Sequence, residues 1–369
     1  MTQTAQGTQL TSAEQETPAG ADRSAIGRRP KIALVIDTDD WAFSNIARML
    51  EVHLSGSFDF KIIPSSVLTC VDHIFLAAAD CDMVHFFWRE YLRLIESPLS
   101  KFHVERFGFS FEEFRRRYLN KPITTGVYDH LFLSPEERQL RSSFFHNEVT
   151  AYSVASRRLE KIYCELQEYP PPVAVLEDGV SLDMFRPVGL ARFHLPMDRP
   201  IVIGWAGNSK WAAEQEDVKG FNTILLPALQ ILKDEGFDIL PRFADRQVEL
   251  VPHASMPAYY NSIDIYACTS QSEGTPNPVL EAMACGIPVV SVDVGVVPEV
   301  FGPEQQRFIV RERSVDAFAD ALRRLLMQPQ LFQVLSAENL HSIRPWDWKF
   351  KAQEFAAFFD MVLRQRSAS

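Results

Sequence analysis

Residues 272–290 read Ser-Glu-Gly-Thr-Pro-Asn-Pro-Val-Leu-Glu-Ala-Met-Ala-Cys-Gly-Ile-Pro-Val-Val, and no other stretch restricts the fold as much. Asn277 is a favoured N-cap residue and Pro278 suits the first helical position, so a helix is expected to start there. Gly286 is placed to end it, and Ile287-Pro288-Val289-Val290 then opens a strand. Glu273 therefore belongs to the loop before a short helix, and Glu281 to that helix's first turns. Free N–H groups at a helix start suit a phosphate. An ionised carboxylate only accepts hydrogen bonds, so the two acids suit hydroxyl groups. An anion at the helix start with hydroxyls at two carboxylates describes a nucleotide sugar.

The chain has 369 residues, and that length favours two domains over one. Its net charge of −11 argues against a broad nucleic-acid surface. Cys70, Cys81, Cys164, Cys268 and Cys285 are scattered, with no Cys-x-x-Cys pair. Neither a disulfide framework nor a structural zinc site is indicated by that spacing. No segment is apolar for long enough to span a bilayer, and the amino terminus lacks the apolar core of a secretory signal. A cytoplasmic protein is expected.

Residues 1–30 show no apolar period and read as a disordered tail. Strands are expected at Lys31–Ile36, Phe58–Ile63, Met83–Phe87 and Ile123–Tyr128, with a helix near Phe43–Val52. Pro and turn residues between Phe185 and Pro200 mark a boundary, giving domains at 31–190 and 191–345. The second is expected to hold strands at Ile201–Trp205, Ile239–Ala244, Glu249–Val251 and Ile263–Thr269. Its helices are expected at Phe221–Glu235, Met256–Ser262 and Val315–Met327. Alternation of this kind points to parallel sheets with both faces covered.

The 272–290 segment resembles the donor-binding signature of glycosyltransferase family 4, enzymes of the GT-B fold. The family pattern is Glu, seven residues, Glu, within a stretch like the one quoted above. The match runs on through Asp293-Val294-Gly295-Val296-Val297-Pro298-Glu299-Val300. The resemblance implies an α/β, GT-B architecture: two Rossmann-like parallel-sheet domains with the active site in the cleft between them. It also implies that residues 346–369 form a last helix crossing back to the amino-terminal domain; the alternative is a helix packed on its own domain. The implied activity is retaining, metal-independent transfer of a hexose from a nucleoside-diphosphate sugar (UDP- or GDP-linked) to a glycan, glycolipid or other glycoconjugate, with no further cofactor.

By the same resemblance Glu281 binds the ribose hydroxyls and Glu273 touches the transferred sugar. Gly274, Thr275, Pro276 and Asn277 present backbone to sugar and phosphates. After the strand at Ile201–Trp205, Gly207-Asn208-Ser209-Lys210 is a small-residue turn with a cation, suited to a diphosphate. The family's basic residues there are matched only in part: Lys219-Gly220 stands for its final Lys-Gly pair, behind a longer insert. Lys210 is the first candidate for the phosphate, Lys219 the second and Arg246 the third. In the first domain, Val127-Tyr128-Asp129-His130 aligns Asp129 with the family's His-Asp strand ending, with Tyr128 in place of the His. Either His130 takes over that role or it is a turn residue. Asp178-Gly179-Val180 matches a structural turn. Asp37-Thr38-Asp39-Asp40 has metal-binding spacing but follows the first strand, where it faces the acceptor or turns the chain.

Residues 101–121 mix bases with aromatics. They make either a peripheral contact with the inner membrane face or a helix with a buried aromatic side and a solvated basic side. Two rivals to a transferase remain. A nicotinamide-linked enzyme would need Gly-x-Gly-x-x-Gly after an early strand, which residues 37–45 lack. A non-catalytic GT-B binding protein is the other.

Overall fold

The computed structural model describes residues 28–39, 41–68, 70–95, 97–194, 198–211 and 217–367. The expected tail lies outside them up to residue 27, as does most of the insert between Lys210 and Lys219.

The first domain is a parallel sheet of β1 (Lys31–Ile36), β2 (Asp59–Pro64), β3 (Met83–Phe86), β4 (Ile123–Val127), β5 (Ala151–Val154) and β6 (Ala174–Val175), in the order β2-β1-β3-β4-β5-β6. The second sheet holds β7 (Ile201–Gly207), β8 (Ile239–Asp245), β9 (Ile265–Cys268), β10 (Val289–Val292) and β11 (Ile309–Val310), in the order β11-β10-β9-β7-β8. Every pairing among these strands is parallel. Because both faces are covered by helices, β1, β3, β4, β5, β9 and β10 are buried along all or nearly all of their length, as parallel strands demand.

Several sequence expectations need correction. Glu249–Val251 is not a strand: Val248 and Glu249 donate their N–H groups back to the Asp245 carbonyl, which turns the chain instead. Asn277 is inside the helix and not its cap. The Asn277–Ala284 helix is entered from Pro276, at φ −72° and ψ 86°, and the Asn277 side chain reaches across to Asp178. β5, β6 and the Gln330–Ser342 helix were not anticipated. The chain leaves the first sheet at Val175, and by Val180 and Phe185 it already packs in the core of the second domain, ahead of the expected boundary.

The last helix, Trp348–Ser367, crosses back. Trp348, Ala352, Phe355, Phe358, Phe359 and Val362 are buried against β1, β2, β3 and the Ala42–Leu54 helix. Phe359 is fully buried, with ring contacts to Phe58, Phe60 and His85. The core histidine His85 is kept neutral by burial, its pKa pushed down to about 3, and its Nδ1 lies 2.9 Å from the Thr124 hydroxyl.

The 101–121 segment forms two helices, Pro98–Arg106 and Phe111–Tyr118. Phe114 is buried in the first domain, Arg115 pairs with Glu148, and Arg117 lies over Phe109 and Tyr118, while Phe102 and Phe107 are exposed. Among the described residues, no helix is long and apolar enough to cross a membrane.

If the crossing helix ties the domains together, Phe359→Ala is expected to destabilise the protein by about 3–5 kcal/mol. Urea unfolding followed by tryptophan fluorescence measures this; a loss well under 1 kcal/mol would mean the helix is not part of the first domain's core.

Candidate active site

Both sheets point their strand carboxyl ends at one interdomain cavity of about 780 Å³. That is the place where ligands gather in open α/β sheets, and the volume suits a nucleotide-sized ligand. The floor on the second-domain side is the 272–281 segment. Ser272, Glu273, Gly274, Thr275, Pro276, Asn277 and Glu281 all line the cavity.

Glycines allow this loop to sit where it does. A Cβ on Gly274 would come within 2.7 Å of the Ala155 Cβ and 2.9 Å of the Tyr128 carbonyl, both in the first domain. Gly295, at φ +51°, lies against the Gly274 carbonyl, where a Cβ would meet that oxygen at 2.1 Å; Val296 then donates its N–H to the same oxygen at 3.1 Å. Gly286, at φ +74°, ends the helix as expected, since only glycine adopts that conformation freely.

The two carboxylates are held in different ways. Glu281 accepts the Tyr260 hydroxyl at 2.7 Å on one oxygen and faces His253 Nε2 at 3.0 Å on the other. A carboxylate offers about four lone-pair positions, so Glu281 keeps acceptor capacity for hydroxyls of a ligand. Glu273 pairs with Lys219 at 2.5 Å.

Lys219 is itself fixed by its neighbours. Its carbonyl accepts the Thr269 hydroxyl at 2.8 Å, and the next residue, Gly220, has φ +66°. A Cβ on Gly220 would meet the Thr269 carbonyl at 2.4 Å, so the Lys-Gly pair is dictated by packing against the end of β9. The ammonium also sits 4.9 Å over the Trp211 ring.

The 207–210 turn contributes less than its composition promised. Gly207 and Asn208 line the cavity, but Lys210 is exposed and outside its lining. Asp245 accepts the Ser209 N–H and Asn208 accepts the Lys210 N–H, curling the turn on itself. Of the two lysines, Lys219 lines the cavity and meets Glu273, whereas Lys210 does not line it. Arg246 lines the cavity and lies 4.3 Å over the ring of Trp41 in the first domain, a cation–π contact across the cleft.

On the first-domain side, Asp129 reaches the cavity wall with its carboxylate committed. Arg89 donates to both of its oxygens, at 2.8 and 3.2 Å, and the pair is buried. His130 is not in the lining: its N–H donates to Ser272 Oγ at 3.1 Å and its Nδ1 lies 3.0 Å from that oxygen, while burial lowers its pKa. Asp37 lines the cavity with one oxygen buried and unpartnered, and burial raises its pKa.

Comparison with known proteins agrees with this geometry. Residues 243–339 match the family Glycosyl transferases group 1. That match lies within the second domain and takes in 97 of the chain's 369 residues. Its fold is that of GT-B glycosyltransferases. Sucrose-phosphate synthase from Thermosynechococcus elongatus superposes with a TM-score of 0.64 at 15% identity, covering 92% of this chain and 100% of that one. Anabaena HepE in complex with UDP-glucose gives 0.63 at 13% identity, covering 90% and 99%. Among curated sequences, the D-inositol 3-phosphate glycosyltransferase of Mycolicibacterium paratuberculosis is 31% identical over 185 residues, 43% of this chain. A sequence named as the teichuronic acid biosynthesis glycosyltransferase TuaC of Bacillus subtilis is 36% identical over 74 residues, 20% of this chain. The chain spans 40% and 19% of those two relatives, less than half of either.

The second domain is latched to the first by groups that include the Asp178-Gly179-Val180 turn. Asp178 donates its N–H to Thr275 Oγ1 at 3.1 Å, and that hydroxyl donates to the Ala155 carbonyl at 3.0 Å. The Asp178 carboxylate accepts from Asn277 at 3.1 Å on one oxygen, while the other is buried without a partner. Burial raises its pKa to about 7. His253, Tyr260, Trp41 and Trp88 also face the cavity and were missed. Tyr260 ends the Met256–Tyr260 helix, His253 lies in the turn before it, Trp41 precedes the Ala42–Leu54 helix and Trp88 follows β3, and none of them carries a motif of its own.

Because the folded state holds a proton on Asp178 that an unfolded carboxyl releases above about pH 4, stability falls as pH rises from about 4 to about 7. Asp178→Asn keeps an acceptor for Asn277 and removes the titration. Its melting temperature is expected to fall less than the parent's between about pH 5 and about pH 8, measured by scanning calorimetry. Parallel declines would show that Asp178 is ionised in the fold.

Proposed function

We propose that the protein transfers a hexose from a nucleoside-diphosphate sugar to a glycan, glycolipid or other glycoconjugate, with retention of anomeric configuration and without a metal at the diphosphate. The observation that carries this reading is the placement of Glu273, Glu281 and Lys219 on one cavity beside the start of the Asn277–Ala284 helix.

In this reading Glu281, oriented by Tyr260 and His253, accepts hydrogen bonds from the ribose hydroxyls. Lys219 exchanges its contact with Glu273 for the diphosphate, and the N–H groups at the helix start add positive potential there. As the sugar–phosphate bond breaks, negative charge builds on the departing nucleoside diphosphate, where Lys219 and those N–H groups stabilise it. Glu273, released from Lys219, accepts from hydroxyls of the transferred sugar and stabilises positive charge near its anomeric carbon. Gly274, Thr275 and Pro276 offer backbone to the donor.

Asp129 acts through position: held by Arg89, it shapes the loop that carries His130 to Ser272. The acceptor enters from the first-domain side, past Asp37, Trp41 and Trp88. A lipid-linked acceptor would bring the exposed Phe102 and Phe107 near a membrane surface. The name of one superposed protein's complex, HepE with UDP-glucose, supports UDP as the first nucleotide to try.

Thermal stabilisation by UDP, GDP, ADP and dTDP tests the donor site, because a ligand that binds the native state raises the melting point by mass action. One nucleotide is expected to raise it, and Glu281→Ala to abolish the rise. No rise with any of them at saturating concentration would sink the transferase reading and favour a GT-B protein that binds without turnover.

The lysine assignment has its own test. Lys219→Ala is expected to weaken nucleoside-diphosphate binding by about 10- to 100-fold, the worth of one charge-assisted hydrogen bond. Lys210→Ala should leave the calorimetric Kd unchanged. The reverse pattern would restore Lys210 as the phosphate ligand.

A further inference from the structure

Far from the cleft residues in sequence, and absent from the cavity lining, Cys70, Asp72 and His103 converge. Cys70 precedes the Val71–Ala77 helix, Asp72 lies in its first turn, and His103 comes from the Pro98–Arg106 helix that packs on it. One ligand atom from each residue falls within 4.8 Å of the other two.

One atom in each of two of these groups is buried without a hydrogen-bonding partner. Asp72 is 2% exposed, and its Oδ2 has no partner; nor does the buried His103 Nδ1. Buried polar atoms nearly always find one, so a carboxylate oxygen and an imidazole nitrogen left bare beside the same thiol need an explanation. The Ser100 hydroxyl and the Cys70 thiol face the Asp72 carboxylate, but neither brings a positive charge to it.

We propose that Cys70, Asp72 and His103 form a binding site for a divalent transition-metal ion of the zinc type. Thiolate, imidazole and carboxylate are the donors zinc takes, at about 2.3, 2.0–2.1 and 2.0–2.2 Å. Tetrahedral ligands at those distances stand roughly 3.3–3.6 Å apart, so a spread of 4.8 Å closes by side-chain movements of about 1 Å. With a single carboxylate and a thiol, the set is wrong for calcium or magnesium, which want several oxygens. The fourth position is open to water.

Cys70 and His103 are each partly exposed, which leaves solvent a way in. Binding would release the thiol proton and clip the Pro98–Arg106 helix to the Val71–Ala77 helix. The ion is a staple of the first domain and takes no part in sugar transfer. The sequence concealed the set because Cys-x-Asp followed by a distant His has none of the usual zinc spacings.

The test is cobalt(II) titration of the full chain after chelator treatment. The expected result is saturation at equimolar cobalt, with tetrahedral d–d bands and a near-ultraviolet thiolate-to-cobalt band, both displaced by zinc. Cys70→Ser should lose the thiolate band, and Cys164→Ser, which removes the exposed thiol, should keep it. If Cys70→Ser does not fold, Asp72→Asn and His103→Gln decide, each expected to weaken cobalt binding at least about 10-fold. Absence of the band in the native chain overturns the proposal. So does a band that survives Cys70→Ser, one that disappears only in Cys164→Ser, or unchanged affinity in both ligand variants; these would be adventitious binding only.

Discussion

The arrangement depends on how closely Gly274 approaches the first domain. With no side chain there, the loop after β9 presses against Ala155 and the Tyr128 carbonyl, and Thr275 joins Ala155 to Asp178 through one hydroxyl. These contacts fix the start of the Asn277–Ala284 helix at the cleft, with Glu273 just before it and Glu281 one turn in. Any residue larger than glycine would push the loop away and open the cavity floor. Gly295 packs from behind under the same restriction, which explains why the signature continues past the helix and strand to the Asp293–Val300 stretch.

Several charges in and around the cleft are held in pairs. Arg89 holds Asp129, Lys219 holds Glu273, and Arg158 joins Asp293 across the domains. The pairs differ in what a ligand can do to them. Arg89–Asp129 is buried and hydrogen-bonded on both carboxylate oxygens; breaking it would strand a buried charge, so it serves as scaffold. Lys219–Glu273 is a partly exposed single contact at the cavity edge, so its two members can exchange each other for a ligand group. Lys351 likewise holds Glu177 at the domain junction, beside Glu299, whose pKa is raised by burial and by that neighbouring acid. The interdomain contact is thus rich in acids that are comfortable only when paired or protonated.

Much of this was legible in the sequence because its information was local. The apolar runs of β1, β3 and β4, the glycine at the end of the 277–284 helix and the spacing of Glu273 and Glu281 each follow from a few adjacent residues. Errors arose where partners lie far apart. Asn277 has the chemistry of a cap, yet Asp178 claims its amide from the linker between domains. Lys210 ranked ahead of Lys219 in the sequence, yet the 207–210 turn folds onto Asp245 and leaves Lys210 outside the cavity lining, while Gly220, pinned to Thr269, sets Lys219 on it. Tyr260 and His253 carried no signal, because a hydrogen bond to a carboxylate 21 or 28 residues away leaves no local pattern.

The sequence by itself determined the α/β alternation and the loop-and-helix path of the 272–290 segment, since periodicity and backbone conformation are written in neighbouring residues. Tertiary structure alone decided which cation meets the carboxylates, which first-domain groups face them, and that Cys70, Asp72 and His103 come together. Those outcomes depend on the path of the chain between distant segments, and that path is set by packing of whole helices and sheets against each other.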